Sequence, residues 1–539
     1  MTGTRSRVAG LIVAALMMGV VVSFAQQPST STLREPVGSR GLDSRDGSGE
    51  SEEWLPPGVA EIDEVIAAKQ RPTVTTAPRQ PLVSEPVAPA TGPLCPTPCA
   101  VGGFAVHDNA SDVTPADPAG AAGDNHVVAA VNMSMGVWDR AGNMEVPPRL
   151  LESLFPATNA DIFDPKVVYD QYNDTYVLVF LGYQGRNSHI FTVAIPDATA
   201  DTPSTWCKRK IDGDQSDNGV VEYADYPGLG YDGKRVYITS NQFDGYDRYH
   251  GAQILAIPRK GLYDCGSRLT VRAWSGSQTN SPSGKRASSI QPATTGGDVK
   301  PSAQYMTAFE YGCSLATCKG DTVLLYRVKK TTSGLKLAKA AVDVPTAFVP
   351  YFGTQEGAPD PNNLNYQWDT GDLRLTNAFY DPALDRVYTA HAVDYNFGTS
   401  TYPEASARWY EIDPAANLGA SSYSRVGTVG QEYLDLGWPA VATDADGTLF
   451  MTVSGAGMYL DQYLSVYATT IQPSTSANDA LVQVRAGTGT YNWDGRPERW
   501  GDYNMINRDP VDGSMMWTFN QTGVGWNMFQ QYADRITDA

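Results

Sequence analysis

One phrase of sequence recurs seven times between Asp117 and Trp517. Each copy opens on a small or acidic residue, continues through a short apolar run and a polar turn, and ends in an aromatic or β-branched run. Repeated units with hairpin chemistry inside them are typical of a β-propeller. The sequence therefore predicts an all-β chain with a single propeller of seven blades, with six or eight as alternatives. The copies begin near Asp117, Asp164, Asp225, Gln291, Asp372, Trp438 and Asp502.

The strand edges of a propeller must be paired or covered, because an unpaired edge strand can pair with other chains. The last repeat has room for three strands, and little chain remains after Ile536. We therefore expect Gly102–Val106 to supply the missing outer strand of the last blade.

Three regions follow from composition along the chain. Residues 1–25 combine Arg5 and Arg7, an apolar stretch and a small-x-small site at Ser23–Ala25, which predicts a secretory signal. An uncleaved membrane anchor is the alternative. Residues 26–99 are rich in Pro, Ser, Thr, Glu and Gly, which predicts a disordered spacer or a pro-segment. Residues 100–539 would form the propeller.

The net charge limits the possible binding partners, and the cysteine content indicates the cellular compartment. The formal net charge of −19 disfavours nucleic-acid binding, which needs lysine and arginine against phosphate. Six cysteines fit an oxidising, extracellular location. Proximity along the chain favours Cys95–Cys99, Cys207–Cys265 and Cys313–Cys318, although six cysteines allow fifteen pairings. We expect a secreted monomer without a membrane span after signal cleavage.

The opening residues of the repeats should surround the axial channel at one face, which gives a partial ring of carboxylates. Mutual repulsion in such a ring raises some pKa values, as the acid and base of a glycoside hydrolase require. The ring could equally hold Ca²⁺, and Asp244–Asp247 is a second, weaker Ca²⁺ candidate. Alternatively, each aspartate caps a turn. The candidate catalytic residues are Asp164, Asp225, Asp372 and Asp502.

Two segments place aromatic and cationic side chains beside these carboxylates. Asp372 and Arg374 are two residues apart on a predicted strand, hence on one face, and Trp368 precedes them. Arg499, Trp500 and Tyr503 flank Asp502. A sugar needs a ring to stack on and polar groups for its hydroxyls, so we predict substrate binding by these side chains. A salt bridge and a core tryptophan at a blade junction are the alternative. The candidate substrate-binding residues are Arg374, Trp368, Arg499, Trp500 and Tyr503.

Five segments of the chain together resemble a family of secreted bacterial β-propellers related to the sialidase-like superfamily. They are Phe163–Asp170, Asp225–Leu229, Asp369–Arg374, Ala407–Asp413 and Arg499–Tyr503. The resemblance implies a propeller and a general link to glycans. The Phe/Tyr-Arg-Ile-Pro segment of true sialidases is absent, and the Asp-box has only a loose relative at Asp512–Trp517. An arginine triad or a Tyr/Glu nucleophile pair therefore cannot be carried over.

These observations predict a secreted glycoside hydrolase that acts on an extracellular glycan and needs no cofactor, although Ca²⁺ remains an option. A carboxyl separation of about 5 Å would indicate retention of configuration and about 6.5–9.5 Å inversion. The alternative is a propeller on a flexible stalk that binds glycan, protein or Ca²⁺ without chemistry. A quinone-dependent propeller is a third hypothesis, for which the sequence carries no cofactor signature.

Overall fold

A computed structural model describes residues 97–108, 115–158, 160–184, 187–214, 219–246, 248–314, 317–357, 366–397, 403–457, 462–492, 498–525 and 528–538. Its strands form seven small sheets, each antiparallel apart from one short parallel pairing. The innermost strand of each sheet packs against the innermost strand of the next, and the last returns to the first. The predicted seven-bladed propeller is therefore confirmed.

The first three blades follow the simple order of the chain, from the axis outward. Blade 1 contains Ala119–Ala122 (β2), His126–Val131 (β3), Ser134–Asp139 (β4) and Met144–Leu150 (β5). Blade 2 contains Asp161–Asp170 (β6), Thr175–Gln184 (β7), Asn187–Pro196 (β8) and Cys207–Asp212 (β9). Blade 3 contains Glu222–Tyr231 (β10), Arg235–Asp244 (β11), Tyr249–Pro258 (β12) and Arg272–Trp274 (β13).

Blades 4 and 5 share a short bridging segment at the axis. Blade 4 contains Gln291–Pro292 (β14), Ala303–Ser314 (β16), Thr317–Thr331 (β17) and Gly334–Phe348 (β18). Thr294–Thr295 (β15) leaves that blade and pairs in parallel with Asn377–Asp381 (β19) of blade 5. Blade 5 then contains Asn377–Asp381 (β19), Arg386–Tyr395 (β20), Glu404–Asp413 (β21) and Ser422–Val429 (β22).

The last two blades complete the ring. Blade 6 contains Asp435–Thr443 (β23), Leu449–Gly457 (β24), Gln462–Ile471 (β25) and Val482–Arg485 (β26). Blade 7 contains Met505–Arg508 (β27), Met515–Gly525 (β28), Met528–Thr537 (β29) and Cys99–Asp108 (β1). Strand β1 pairs antiparallel with β29 from Cys99 opposite Thr537 to Asp108 opposite Gln530. The predicted closure by an N-terminal strand is thus confirmed.

Among the described residues, helical structure is confined to short turns between strands. One α-helix, α1, covers Arg259–Tyr263. The 3₁₀ turns are Leu151–Leu154, Asp197–Thr199, Pro203–Thr205, Gly276–Gln278 and Leu418–Ala420. Within the described part of the chain, no helix has the length and apolar character needed to cross a bilayer.

The hydrophobic core lies between adjacent blades, because both faces of each sheet are covered. In β6 and β7 nearly every side chain is buried, including Val177, Leu178 and Phe180. Runs of β-branched and aromatic residues suit strands that are covered on both sides. The stack of blades leaves the polar residues of the innermost strands facing the axis, where the candidate site lies.

Two predicted disulfides are present, Cys207–Cys265 and Cys313–Cys318. The first links β9 of blade 2 to the segment after α1 in blade 3, and the second closes the β16–β17 hairpin. Both fit an oxidising compartment. The predicted Cys95–Cys99 pair includes Cys95, which lies outside the described residues, as do the predicted signal and nearly all of the predicted spacer.

Candidate active site

The innermost strands start with residues in an uncommon backbone conformation. Only a few per cent of non-glycine residues adopt the left-handed backbone conformation. Such strained residues are found preferentially at functional sites. Here they recur at the same face of several blades, which is called the upper face below. The positions are Asp117 (φ 48°), Asp164 (φ 53°), Tyr226 (φ 51°), Ser289 (φ 50°) and Trp438 (φ 55°), with Gly371 (φ 97°) in blade 5.

In blades 2, 3 and 6 the left-handed residue is followed by proline, and the two residues form a β-bulge. The ladder shifts between Phe163 and Lys166 in blade 2, and in the same way in blades 3 and 6, so that two residues stand opposite one. A bulge is a site where proline's missing N–H removes no ladder bond. The bulges bring side chains of neighbouring blades together at the upper end of the axis.

Hydrogen bonds join these side chains from blade to blade. Asn132 donates from Nδ2 to Asp117 Oδ2 at 2.8 Å and accepts at Oδ1 from the N–H of Asp164 at 2.8 Å. Asp117 Oδ1 accepts from the N–H of Asp502 at 2.8 Å, and Asp164 Oδ2 accepts from the N–H of Tyr226 at 3.3 Å. Asp117 therefore lies against Asp502, and Asp164 lies against the segment that carries Asp225.

Two cations lie among these carboxylates. The Nζ of Lys166 lies 3.0 Å from the ring centroid of Tyr503 and 5.9 Å from that of Tyr226. Arg499 donates from Nη2 to Asp502 Oδ1 at 2.6 Å. Lys166 is buried, whereas the Arg499 side chain keeps 20% exposure. Arg499 thus reaches from the solvent into the carboxylate cluster.

Burial and repulsion change the proton affinity of the cluster. Burial, and then the charge of Asp502, raise the pKa of Asp117 to about 7, and the same two causes raise the pKa of Asp225 to about 7. The pKa of Asp164 rises well above its usual value, again through burial first and then through the neighbouring aspartates. Burial lowers the pKa of Lys166 to about 7. The site can therefore hold and release protons near neutral pH.

Two oxygens of the cluster lack a hydrogen-bond partner among the described residues. They are Oδ1 of Asp164 and Oδ2 of Asp502, and the two side chains are 0% and 2% exposed. A buried carboxylate oxygen without a donor is costly, so such positions usually meet water or a ligand. Both oxygens therefore keep an unused acceptor position inside the cluster.

Asp372 has a different environment from the other predicted carboxylates. Arg374 donates to both of its oxygens, with contacts of 2.8–3.0 Å from Nε and Nη2. The guanidinium of Arg374 also lies over the ring of Tyr226, 4.5 Å from its centroid. Asp372 therefore holds Arg374 in place, which matches the salt-bridge alternative for this pair.

The structure places three predicted sugar-binding aromatics in the interior. Trp368, Trp500 and Tyr503 are 0%, 1% and 1% exposed, and the two tryptophans pack in one hydrophobic cluster with Trp438 and Tyr491. Trp368 pairs through its backbone with Gly353 and Glu498, because the long blade 4 to blade 5 connection folds back toward blades 6 and 7. In this conformation none of the three rings offers a free face to a sugar.

The solvent reaches the cluster at three partly exposed side chains, Asp225, Asp369 and Arg499. The charges of Asp502, Asp117 and Asp369 raise the pKa of Arg499 against the effect of its burial, which places Asp369 near the guanidinium. Among the predicted catalytic residues, Asp225 is thus the one that reaches the surface, whereas Asp164 and Asp502 lie beneath it.

Three residues of the cluster were missing from the sequence-based list: Asn132, Lys166 and Tyr226. The recurring residue–proline pair was the available signal, since Tyr226-Pro227 and Trp438-Pro439 match Asp164-Pro165 in the structure. The repeat had instead been aligned on Asp225, one residue too early. Lys166 follows a bulge, and its direction could not be inferred from simple strand alternation.

Small cavities continue below the cluster along the axis. One is lined by Lys166, Gln291, Thr376 and Asn377, so the lysine faces both the carboxylates and this space. The next is lined by Thr294, Thr295, Asn507 and Arg508 among others, toward the lower face. Both cavities mix polar with apolar lining residues, such as Leu229 and Met505 beside Lys166.

A metal site receives no support from the described residues, where no group of three or more His, Cys, Asp or Glu side chains could hold an ion. In the Asp244–Asp247 candidate, Asp244 accepts from Arg248 and His250, and Asp247 lies outside the described residues. Ca²⁺ binding therefore stays an untested prediction.

Comparison with solved structures returns propellers of low sequence identity. A protein of unknown function from Dyadobacter fermentans has a TM-score of 0.39 and 11% identity, covering 70% of this chain and 95% of that one. The chain is also similar to known glycosidases. Trypanosoma rangeli sialidase with the inhibitor DANA has a TM-score of 0.34 and 10% identity, covering 74% of this chain and 56% of that one.

Bacillus subtilis arabinanase has a TM-score of 0.28 and 13% identity, covering 60% of this chain and 99% of that one. All three TM-scores lie below 0.5, which limits the similarity to the general course of the chain. No family model and no curated protein matches the sequence.

Proposed function

We propose that this protein is an exported glycoside hydrolase whose active site is the carboxylate cluster at the upper face. The observation that carries the proposal is the pair formed by Asp225 and Asp502. Asp225 keeps partial exposure at the edge of the cluster, and its remaining burial, followed by the charge of Asp502, raises its pKa to about 7. Asp502 lies in an ion pair with Arg499, and its Oδ2 is buried without a hydrogen-bond donor among the described residues. Two carboxyl groups in unlike environments are what glycoside hydrolysis needs.

The proposed roles follow from these environments. Asp225 is the acid, because a carboxyl with a pKa near 7 still carries its proton at neutral pH and can give it to the glycosidic oxygen. Asp502 is the base or nucleophile, and Arg499 orients it and binds sugar hydroxyls. Asp164 and Lys166 are buried in the same cluster and complete its charged lining. Sugar release should therefore decline as the pH rises above about 7 and Asp225 loses its proton.

The test is sugar release by the purified protein from a panel of polysaccharides and host glycans. We expect Asp225→Asn and Asp502→Asn to lower turnover at least about a hundredfold, the usual contribution of a general acid or base. Asp446→Asn, in an exposed turn of blade 6, is the matched control and should retain turnover. Equal turnover by wild type and by folded Asp225→Asn would contradict the assignment.

The second candidate is a propeller that binds glycan or protein without cleaving it. The burial of Asp117, Asp164 and Asp502, with exposures of 0–2%, favours this alternative, because a substrate must reach at least one catalytic oxygen. Lack of release from every polysaccharide in the panel, by a folded protein with or without added Ca²⁺, would favour binding over catalysis.

A further inference from the structure

A row of aromatic rings runs across the upper face from blade 2 to blade 3. The centroids of Phe163 and Tyr183 are 4.8 Å apart, and those of Tyr183 and Tyr223 are 5.2 Å apart. Tyr223 and Phe243 then stack at 5.7 Å with an angle of 23° between their planes. Phe163 is buried, whereas the other three rings are partly exposed. The name aromatic rim is used below for Tyr183, Tyr223 and Phe243.

The aromatic rim lies beside the carboxylate cluster. Tyr223 precedes Asp225 by two residues on β10, and Tyr183 donates from its hydroxyl to the carbonyl of Ala224 at 2.9 Å. Tyr223 and Phe243 are cross-strand partners on β10 and β11. Because β7 and β11 end where β6 and β10 begin, all three rings open on the face where Asp225 meets solvent.

A braced loop extends the rim outward. Tyr246, in the β11–β12 loop, is 82% exposed, and the guanidinium of Arg248 lies 5.3 Å from its ring centroid. Asp244 accepts from the N–H of Tyr246 at 2.9 Å and from Nε of Arg248 at 2.8 Å. His250 lies between Asp244 and Glu222, at 3.1 and 3.5 Å, and so ties the loop to the start of β10.

We infer that the aromatic rim is a carbohydrate-binding subsite, in which a sugar residue of a neutral glycan packs against the exposed parts of the Tyr223 and Phe243 rings while the next residue reaches Asp225. Aromatic rings offer an apolar body and, in tyrosine, a polar handle, which suits the two kinds of surface of a sugar. A few convergent polar groups beside aromatic walls are typical of ligand sites. Tyr246 and Arg248 would contact a sugar farther along the chain.

A neutral glycan is the occupant that the charges favour. The chain carries a formal net charge of −19, so its overall field would repel a polyanion. The inference builds on the proposed function by adding a subsite to the same groove, but glycan binding can be measured without turnover.

The test is affinity electrophoresis of the full-length protein in gels that contain xylan, arabinan, mannan or β-glucan. We expect the wild type to be retarded by at least one of these. The Tyr223→Ala/Phe243→Ala double variant should bind that polysaccharide at least about tenfold more weakly. Tyr246→Ala, which alters an exposed side chain and leaves the fold intact, should weaken binding about threefold. Tyr423→Ala, at a 38% exposed ring on the outer strand of blade 5, is the control and should bind like wild type.

Binding and turnover separate the two proposals. Asp225→Asn and Asp502→Asn should still bind, because neither change removes a ring. If the wild type binds a polysaccharide without turnover and the rim variants lose that binding, the subsite is supported and the hydrolase proposal is contradicted. If wild type, the double variant and Tyr246→Ala bind alike, or wild type binds none of the four polysaccharides, the subsite is overturned whatever the turnover.

Discussion

Asp117 is completely buried, and its neighbours decide whether it can ionise. Its two oxygens accept from the N–H of Asp502 and from Asn132, each at 2.8 Å. These bonds favour the ionised form, but burial outweighs them and the nearby charge of Asp502 adds to its effect, so the pKa rises to about 7. The folded protein therefore keeps this proton over a pH range in which an unfolded aspartate has lost it.

This retained proton makes stability depend on pH with a definite sign. Between about pH 4 and pH 7 the folded state binds more protons than the unfolded state, so the free energy of unfolding falls as pH rises. One such group contributes on the order of 1.4 kcal/mol for each pH unit in that window. Asp225, with a pKa raised to about 7 by burial, acts in the same direction.

Asp117→Asn removes one of these titrations. We expect the free energy of unfolding, measured in urea at pH 5 and pH 7, to fall less steeply for Asp117→Asn than for wild type, by about 1.4 kcal/mol for each pH unit. The asparagine oxygen can still accept from the N–H of Asp502. Parallel slopes for the two proteins would show that Asp117 does not carry this proton.

The start of each innermost strand is the element that builds the site. A left-handed residue, often followed by proline, interrupts the ladder and brings side chains of neighbouring blades together. In blade 5 the left-handed position is held by Gly371, whose N–H donates to Asp369 Oδ1 at 3.0 Å. At a φ of 97° only glycine avoids strain.

Gly371→Ala isolates the cost of this conformation. A Cβ built on Gly371 would lie 3.5 Å from the ring of Trp438, an ordinary contact, so the substitution adds backbone strain without a clash. We expect a loss of about 1–2 kcal/mol in the free energy of unfolding, measured in urea. Gly245→Ala, at a turn glycine with open space around it and no positive φ, is the control and should lose less than about 0.5 kcal/mol.

The blades could be predicted from the sequence because strand alternation and Asp-Gly turns act locally. The phase of the repeat in blade 3 is wrong by one residue, because the repeat was defined by an acidic opening residue, here Asp225, whereas Tyr226 holds the left-handed position at the bulge. The burial of Trp368 and Trp500 depends on the blade 4 to blade 5 connection, which meets them from far along the chain. The aromatic rim depends likewise on the contact between β7 and β10, which no local pattern specifies.

At the scale of the whole molecule, the ring is closed by one strand. β1 is the outer strand of blade 7, and its Phe104 lies edge-on to Trp517, with 6.1 Å between the ring centroids. Val106 is 6% exposed in the same cluster. Without β1, these contacts would be lost and β29 would present an unpaired edge.

A chain that starts at residue 109 tests this closure against one that starts at residue 97. We expect the shorter chain to lose about 3 kcal/mol or more in the free energy of unfolding, from the lost burial of Phe104 and Val106. Its exposed β29 edge should also produce higher oligomers in size-exclusion chromatography. Equal melting temperatures and equal elution volumes for the two chains would show that β1 is dispensable.

The pairing of β1 with β29 also sets the order of events when the protein is made. Cys99 pairs with Thr537, so β1 leaves the ribosome long before its partner β29 has been synthesised. Six blades can form as the chain appears, but the seventh stays incomplete until then. A chain that stops early, for instance through a premature stop codon, would leave the N-terminal strand unpaired. A product that lacks β29 therefore cannot close the ring, and it keeps an open strand edge that favours aggregation and binding by chaperones.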